Sequence, residues 1–151
     1  MNVVPDTARS LSGPFCGIAA RGLARFARID AHVGATPTSA AANIRTLANY
    51  LASPASNDLE KARAVYRWMT ANIGYDVAAY FSGLFPPMDA AAVLARRTAV
   101  CAGYASLFAA LGRAMALQVE VVRGCAKGYR YRIGESLGRE PNHDWNVVQL
   151  E

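Results

Sequence analysis

The spacing of apolar residues changes from a helical period to alternation near residue 116, and this change restricts the fold more than any other feature. Up to that point apolar residues recur three or four positions apart, as they do along one face of a helix. In the last such segment they are Tyr104, Leu107, Phe108, Leu111 and Met115. Residues 118–123, 129–133 and 143–150 then have the pattern of strands. Helices followed by antiparallel strands predict an α+β domain.

Capping residues divide the helical part of the chain. Residues 36–39 predict a turn and an N-cap before a helix that runs through Leu51. Asn57 is predicted to begin the next helix, with Glu60 as its capping-box partner, and Asp89 to begin a short helix that ends near Arg96. The predicted apolar side of the Asn57 helix consists of Leu59, Ala62, Tyr66, Met69 and Ile73.

Residues 1–36 are predicted to be a leader, and residues 37–151 the domain itself. A helical stripe of small and apolar residues runs through the leader: Phe15, Ile18, Gly22, Phe26 and Ile29. Such a stripe docks on its own domain or belongs to a loosely ordered extension. The alternative is a basic amphipathic helix that contacts a membrane or a partner.

Composition excludes several classes of protein. A chain of 151 residues with 53% apolar residues is expected to fold as one globular domain. It has no run of roughly 20 apolar residues that could span a bilayer and no evident secretory signal, so we expect a soluble protein, with the cytoplasm favoured. The net charge of +5 is scattered rather than clustered, which argues against nucleic acid as a partner. No cofactor is predicted.

Two residues have the placement of a catalytic pair. Cys101 opens a predicted helix, and His143 opens a predicted strand. Unpaired N–H groups and the positive end of the helix dipole favour the thiolate form of a cysteine at a helix N-terminus. A histidine on a neighbouring strand could accept the thiol proton and orient the nucleophile.

Five sequence blocks, in order, resemble transglutaminase-like proteins, which are papain-like cysteine hydrolases and acyltransferases. The blocks are residues 61–76, 89–94, 100–105, 124–128 and 143–148. The similarity is to a branch that includes relatives of the kyphoscoliosis peptidase. It implies a core in which the cysteine helix packs on a small antiparallel sheet that carries the histidine.

The resemblance also implies the chemistry. Cys101 would be the nucleophile and His143 the general base in attack on a peptide or amide carbonyl, through a thioester intermediate, with a protein or peptide as substrate. Tyr104 and Trp145 are candidate pocket residues, and no metal ligand is assigned. Trp145 should share a strand face with His143 because it lies two residues further along.

The third member of the family's triad is an Asp on the strand after the histidine, and the sequence stops at Glu151 before that position. The resemblance therefore predicts a domain that is incomplete at its C-terminus, with impaired activity and an exposed edge strand open to a partner chain. Asp144 is no substitute because adjacent strand residues point to opposite faces, and Asp76 matches a family position that is not catalytic.

The leading hypothesis is thus a cysteine hydrolase that acts on peptide bonds. The alternatives are a non-enzymatic interaction module of the same fold, a protein cross-linking acyltransferase, and a truncated gene product without independent function. A zinc site formed by Cys101, Cys125 and His143 is a further alternative, although the three cysteines lack the spacing of known zinc motifs.

Overall fold

The computed structural model describes residues 24–129, 131–136 and 138–151. The helices of this part are α1 (Ala27–Gly34), α2 (Ile44–Ala52), α3 (Asp58–Asn72), α4 (Val77–Ser82), α5 (Ala90–Arg96) and α6 (Cys101–Ala114), with a 3₁₀ turn at Ala40–Ala42. The strands are β1 (Gly74–Tyr75), β2 (Thr98–Ala99), β3 (Gln118–Gly124) and β4 (His143–Gln149). Helices precede the antiparallel pair, so the predicted α+β class is confirmed.

Side-chain caps determine where most of these helices begin. Asn57 accepts a hydrogen bond from the Glu60 N–H at 3.0 Å, and Asp89 accepts one from the Ala92 N–H at 3.0 Å, as predicted. The Glu60 carboxylate, however, accepts from the Ser56 N–H rather than from its predicted partner. The predicted N-cap at residues 36–39 is wrong, because Asn43 caps α2 in a capping box with Thr46.

The core forms around α6, which packs against α2, α3 and α5. Leu107 and Leu111 of α6 are fully buried, as is Trp68 of α3. The predicted apolar side of α3 is partly wrong, since Tyr66 is 54% exposed and the buried side contains Ala64, Val65, Trp68 and Met69. Tyr66 lies beside the Arg63 guanidinium instead, where its ring covers a cation at the surface.

The antiparallel pair β3–β4 lies against α6. Its register runs from Gln118 opposite Gln149 to Gly124 opposite His143. The predicted strand at residues 129–133 is wrong: its described residues lie in turns and irregular structure, and Ile133 is fully exposed. Alternation of aromatic and basic residues imitated a strand, but no apolar face there is buried.

A short parallel pair brings two distant segments beside the start of α6. Gly74 pairs with Thr98 and Tyr75 with Ala99, so β1 follows α3 and β2 immediately precedes Cys101. Asp76 then begins α4 by accepting a hydrogen bond from the Ala79 N–H at 2.9 Å. The segment from Tyr75 through α4 is therefore placed next to the Cys101 end of α6.

The described part of the predicted leader packs on the core. Ile29 and Val33 of α1 are buried, and Arg63 of α3 donates two hydrogen bonds, of 2.9 and 2.7 Å, to the Asp30 carboxylate. These bonds hold the pKa of Asp30 below its usual value. Phe15, Ile18 and Gly22 lie outside the described residues, and the boundary at residue 36 stays a prediction. No helix in the described ranges has the length and apolar character needed to cross a bilayer.

Candidate active site

Cys101 is the first residue of α6 and is partly exposed. The preceding Val100 has extended backbone, and its carbonyl accepts hydrogen bonds from the N–H groups of Gly103 and Tyr104 at 3.0 and 3.1 Å. The first N–H groups of a helix lack partners within it, and they point back toward the residue at its start. The thiol therefore lies at the positive end of a helix whose other end is held by the core.

Gly103 allows α6 to approach α5 and β2 closely. A Cβ atom at this position would lie 2.6 Å from the Ala99 Cβ and 2.9 Å from the Val93 Cγ2. Both contacts are shorter than any that carbon atoms tolerate, so the close packing next to Cys101 requires glycine.

A Gly103→Ala substitution is expected to lower the free energy of unfolding by about 1–3 kcal/mol, because the added methyl group overpacks the junction of α6 with α5 and β2. Urea unfolding followed by circular dichroism measures the change. Gly34→Ala is the matched control, since a Cβ at Gly34 meets no atom within 4 Å. Equal effects of the two substitutions would contradict the assignment of close packing to Gly103.

His143 begins β4 at the end of the antiparallel pair. Its ring stacks with the Trp145 ring at a centroid distance of 6.0 Å and an angle of 26°. Trp145 in turn covers Gly124 so closely that a Cβ there would lie 2.8 Å from its ring. His143 and Trp145 thus share one face of β4, and glycine on β3 makes room for the indole.

The other face of β4 contacts α6. Asn146 donates a hydrogen bond of 3.0 Å to the Ala105 carbonyl, and Val148 packs against the cluster that contains Ala109. Asp144 belongs to this face, where it accepts hydrogen bonds of 2.9 and 3.2 Å from Arg123 of β3. The Asp144 carboxylate is therefore occupied by a cross-strand cation and lies on the opposite face of the strand from His143.

Cys101 and His143 line one open cavity of about 830 Å³. One wall comes from the segment that follows α3 and consists of Tyr75, Val77, Tyr80, Phe81 and Phe85. The other comes from the connection between β3 and β4 and includes Ala126, Tyr129, Tyr131, Glu135 and Asn142. A cleft of this size is in the range that holds a small ligand or a few residues of a peptide.

The side chain of Asn142 closes the base of the β3–β4 connection. Its amide accepts from the Ala126 N–H at 2.7 Å and donates to the Ala126 carbonyl at 3.1 Å, so it imitates a paired strand residue. The Asn142 N–H also bonds to the Gly124 carbonyl at 2.9 Å. These hydrogen bonds fix the backbone immediately before His143, the next residue.

Cys125 contacts the backbone of the β3–β4 connection. Its thiol is directed at the carbonyls of Gly138 and Glu140, at 3.2 and 3.5 Å. Among the described residues, no group of three or more His, Cys, Asp or Glu side chains is arranged to hold a metal ion.

Tyr104 lies one turn into α6 and supports the cavity wall from behind. Its hydroxyl donates a hydrogen bond to the Ile73 carbonyl, and its ring stacks with Tyr75 at 6.3 Å. Burial raises the pKa of both phenols, and an electrostatic interaction with the neighbouring Cys101 raises the pKa of Tyr75 further. Both side chains are therefore neutral at physiological pH.

The sequence predicts Tyr104 and Trp145 as pocket residues, but neither is among the residues that line the cavity, and the aromatic residues of both walls are not predicted. A signal was present, because four aromatic side chains fall between residues 75 and 85, a segment too short to bury them all. Tyr129 and Tyr131 were assigned instead to a strand.

Comparison with known proteins agrees with this architecture. Residues 45–151 match the family model described as the transglutaminase-like superfamily. The chain is 34% identical to the human kyphoscoliosis peptidase over 132 residues, which are 85% of this chain and 19% of that protein. It is also 34% identical to the mouse kyphoscoliosis peptidase over 129 residues, 83% of this chain and 19% of that protein. The chain thus spans about a fifth of the length of these relatives.

A solved structure shows the same fold at lower sequence similarity. A candidate protease from Parabacteroides distasonis superposes with a TM-score of 0.50 and 17% identity, over 85% of this chain and 25% of that one. The family match covers most of the chain and includes both α6, which begins at Cys101, and β4, which begins at His143. The chain belongs to the transglutaminase-like superfamily.

Proposed function

We propose that this domain hydrolyses peptide or amide bonds with Cys101 as nucleophile and His143 as general base. The observation that carries the proposal is that a cysteine at the N-terminus of the central helix and a histidine at the start of a strand line the same open cavity. Membership in a superfamily of cysteine-dependent hydrolases and acyltransferases supports the reaction class. The name of the kyphoscoliosis peptidase supports a peptide bond as the target.

The proposed reaction has two halves. His143 accepts the Cys101 thiol proton, and the sulfur attacks the carbonyl carbon to give a tetrahedral intermediate. N–H groups at the start of α6 stabilise its oxyanion. The intermediate collapses, the C–N bond breaks, and the imidazolium gives its proton to the departing amine. His143 then takes a proton from water, which attacks the thioester and releases the acid and the free thiol.

The proposed proton transfer requires a hydrogen bond between the Cys101 thiol and the His143 imidazole. Such bonds between catalytic groups are often long before substrate binds and shorten in the complex. His143 lines the cavity and stacks on Trp145, which is not among the lining residues, so the proposed role of the indole is to support the imidazole rather than to form a pocket wall. Arg123 holds Asp144 on the other face, so Asp144 has no part in the proposed reaction.

A peptidyl fluoromethyl ketone tests the proposal directly, because it alkylates a cysteine that an adjacent histidine activates. We expect modification of Cys101 and not of Cys125, measured by mass spectrometry of the digested protein. His143→Ala should slow the reaction at least about tenfold, since it removes the base. Labelling of Cys101 no faster than that of Cys125 would instead support a non-enzymatic interaction module of the same fold.

Product analysis separates hydrolysis from cross-linking. With a peptide substrate and excess methylamine, a hydrolase releases mainly the free acid, whereas an acyltransferase forms the methylamide from the same thioester. We expect the acid. Methylamide as the main product would assign the domain to acyl transfer, with Cys101 and His143 in the same roles.

A further inference from the structure

Five aromatic rings form a continuous series along the cavity, from α6 to the connection between β3 and β4. Tyr104 contacts Tyr75 at a centroid distance of 6.3 Å, and Tyr75 contacts Tyr80 at 6.1 Å. Phe81 then contacts Tyr80 at 5.2 Å and Tyr129 at 5.7 Å. All four distances are in the range in which aromatic rings stabilise one another. We call these five residues the aromatic series.

The aromatic series is anchored at the end next to Cys101 and open at the other end. Tyr104 is held by its hydrogen bond to Ile73, whereas Phe81 is 52% exposed and Tyr129 is 82% exposed. Single exposed apolar side chains are common, but a contiguous group beside a candidate nucleophile marks a binding surface. Phe81 and Tyr129 come from two different walls and contact each other, so a side chain that lies against this pair would contact both rings.

The charges of the cavity also restrict what it can bind. Among the described lining residues, Glu135 is the one carboxylate, and neither a lysine nor an arginine is present. A phenol is neutral at physiological pH, and burial raises the pKa of the lining residue Tyr75 further. An acidic substrate side chain would thus lose water without meeting a lysine or arginine of the described lining, the nearby Lys127 ammonium being placed over the Tyr131 ring at 5.0 Å.

We propose that the aromatic series selects peptides with a bulky apolar side chain, aromatic above all, next to the bond that Cys101 attacks. This inference rests on the proposed function, because it assigns the substrate class of the same site. Burial of such a side chain removes its apolar surface and that of Phe81 and Tyr129 from water at once. Ring-to-ring contact with Phe81 and Tyr129 adds a preference for aromatic over aliphatic side chains.

The first test measures selectivity in catalysis. Blocked alanine heptapeptides carry Phe, Leu, Ala or Asp at one position, which is moved along the peptide, and kcat/KM is measured for each. At the best position we expect Phe to exceed Ala by at least about tenfold, with Asp the poorest. Phe81→Ala and Tyr129→Ala should each reduce the Phe-to-Ala ratio. Equal rates for Phe, Ala and Asp peptides would overturn the inference.

Leu84→Ala is the matched control. Leu84 is 78% exposed and lies in the same segment as Phe81, but it is outside the cavity lining. It should leave the ratio unchanged. A loss of selectivity in Leu84→Ala as large as that in Phe81→Ala would contradict recognition by the aromatic series.

The second test measures binding without catalysis, which separates failure of this inference from failure of the proposed function. In a Cys101→Ala background, fluorescently labelled Phe, Ala and Asp heptapeptides are titrated by anisotropy. We expect Phe to bind at least about tenfold more tightly than Asp, and Tyr129→Ala to remove most of that difference. If wild type hydrolyses none of the peptides but binding remains selective, the proposed function fails and recognition stands. Equal binding, or no binding at millimolar peptide, overturns recognition.

Discussion

A Cys101→Ala variant is expected to lose at least about 10⁴-fold of the wild-type kcat/KM for peptide hydrolysis. In the proposed reaction the Cys101 thiol forms the thioester, and alanine has no nucleophile to replace it. The remaining rate would come from substrate binding and from the N–H groups at the start of α6, which the substitution leaves in place. Hydrolysis of a chromogenic peptide under single-turnover conditions measures the loss.

Ser106→Ala is a suitable control because it also removes one heavy atom from α6 but lies away from the cavity lining. It should retain wild-type kcat/KM, and both variants should unfold at similar urea concentrations. If Cys101→Ala hydrolysed the peptide as fast as Ser106→Ala, the nucleophile assignment would be wrong.

Trp68→Ala is expected to lower the free energy of unfolding by about 3–5 kcal/mol. Trp68 is 1% exposed and is the largest fully buried side chain among the described residues. Its truncation leaves a cavity between α3 and its neighbours and removes the ring that the Arg97 guanidinium covers at 4.8 Å. Urea unfolding should be followed by far-ultraviolet circular dichroism, because the substitution itself changes tryptophan fluorescence.

Tyr66→Ala tests the same helix on its exposed side. Tyr66 is half exposed and contacts mainly Arg63, so we expect a loss of less than about 1 kcal/mol. Comparable losses from Trp68→Ala and Tyr66→Ala would mean that both rings face the core.

Local signals predicted the helices well. Asn57, Asp89 and Cys101 each mark a helix start that depends on the chemistry of a few adjacent residues, and the structure has helices beginning at Asp58, Ala90 and Cys101. The N-cap of α2 was assigned to the wrong residue because residues 36–39 and Asn43 offer similar capping groups. The choice depends on the 3₁₀ turn at Ala40–Ala42, which separates the two candidates and leaves Asn43 as the N-cap.

Signals that depend on distant contacts were less informative. Tyr66 satisfies the helical period as well as Trp68 does, and the choice between them is made by where α6 and α1 pack on α3. Residues 129–133 alternate like a strand, but β3 pairs directly with β4 and leaves them no place in that ladder. The spacing of apolar residues shows which residues share a face of a helix or strand. It does not show which other element packs on that face and buries it.

The candidate site was predictable only in part for the same reason. Cys101 and His143 stood out through ordered motifs, and their roles remain proposals. The aromatic series could not be read from spacing, because it joins Tyr104 to Tyr75 through the β1–β2 pair and Phe81 to Tyr129 across the cavity. Contacts between segments far apart in sequence create this surface.

The hydrogen bonds of Asn142 with Ala126 separate the β3–β4 connection from the two strands, so the connection is a unit that another loop could replace. Because these bonds close the connection at its base, we expect changes in length or sequence beyond it to leave β3, β4 and His143 in place, since longer loops cost little extra closure entropy. Tyr129 lies inside that unit, whereas the proposed nucleophile and base lie outside it. Specificity in such a scaffold can diversify by exchange of one loop while the chemistry stays constant, and the same loop is the natural place for an engineer to graft a new binding preference.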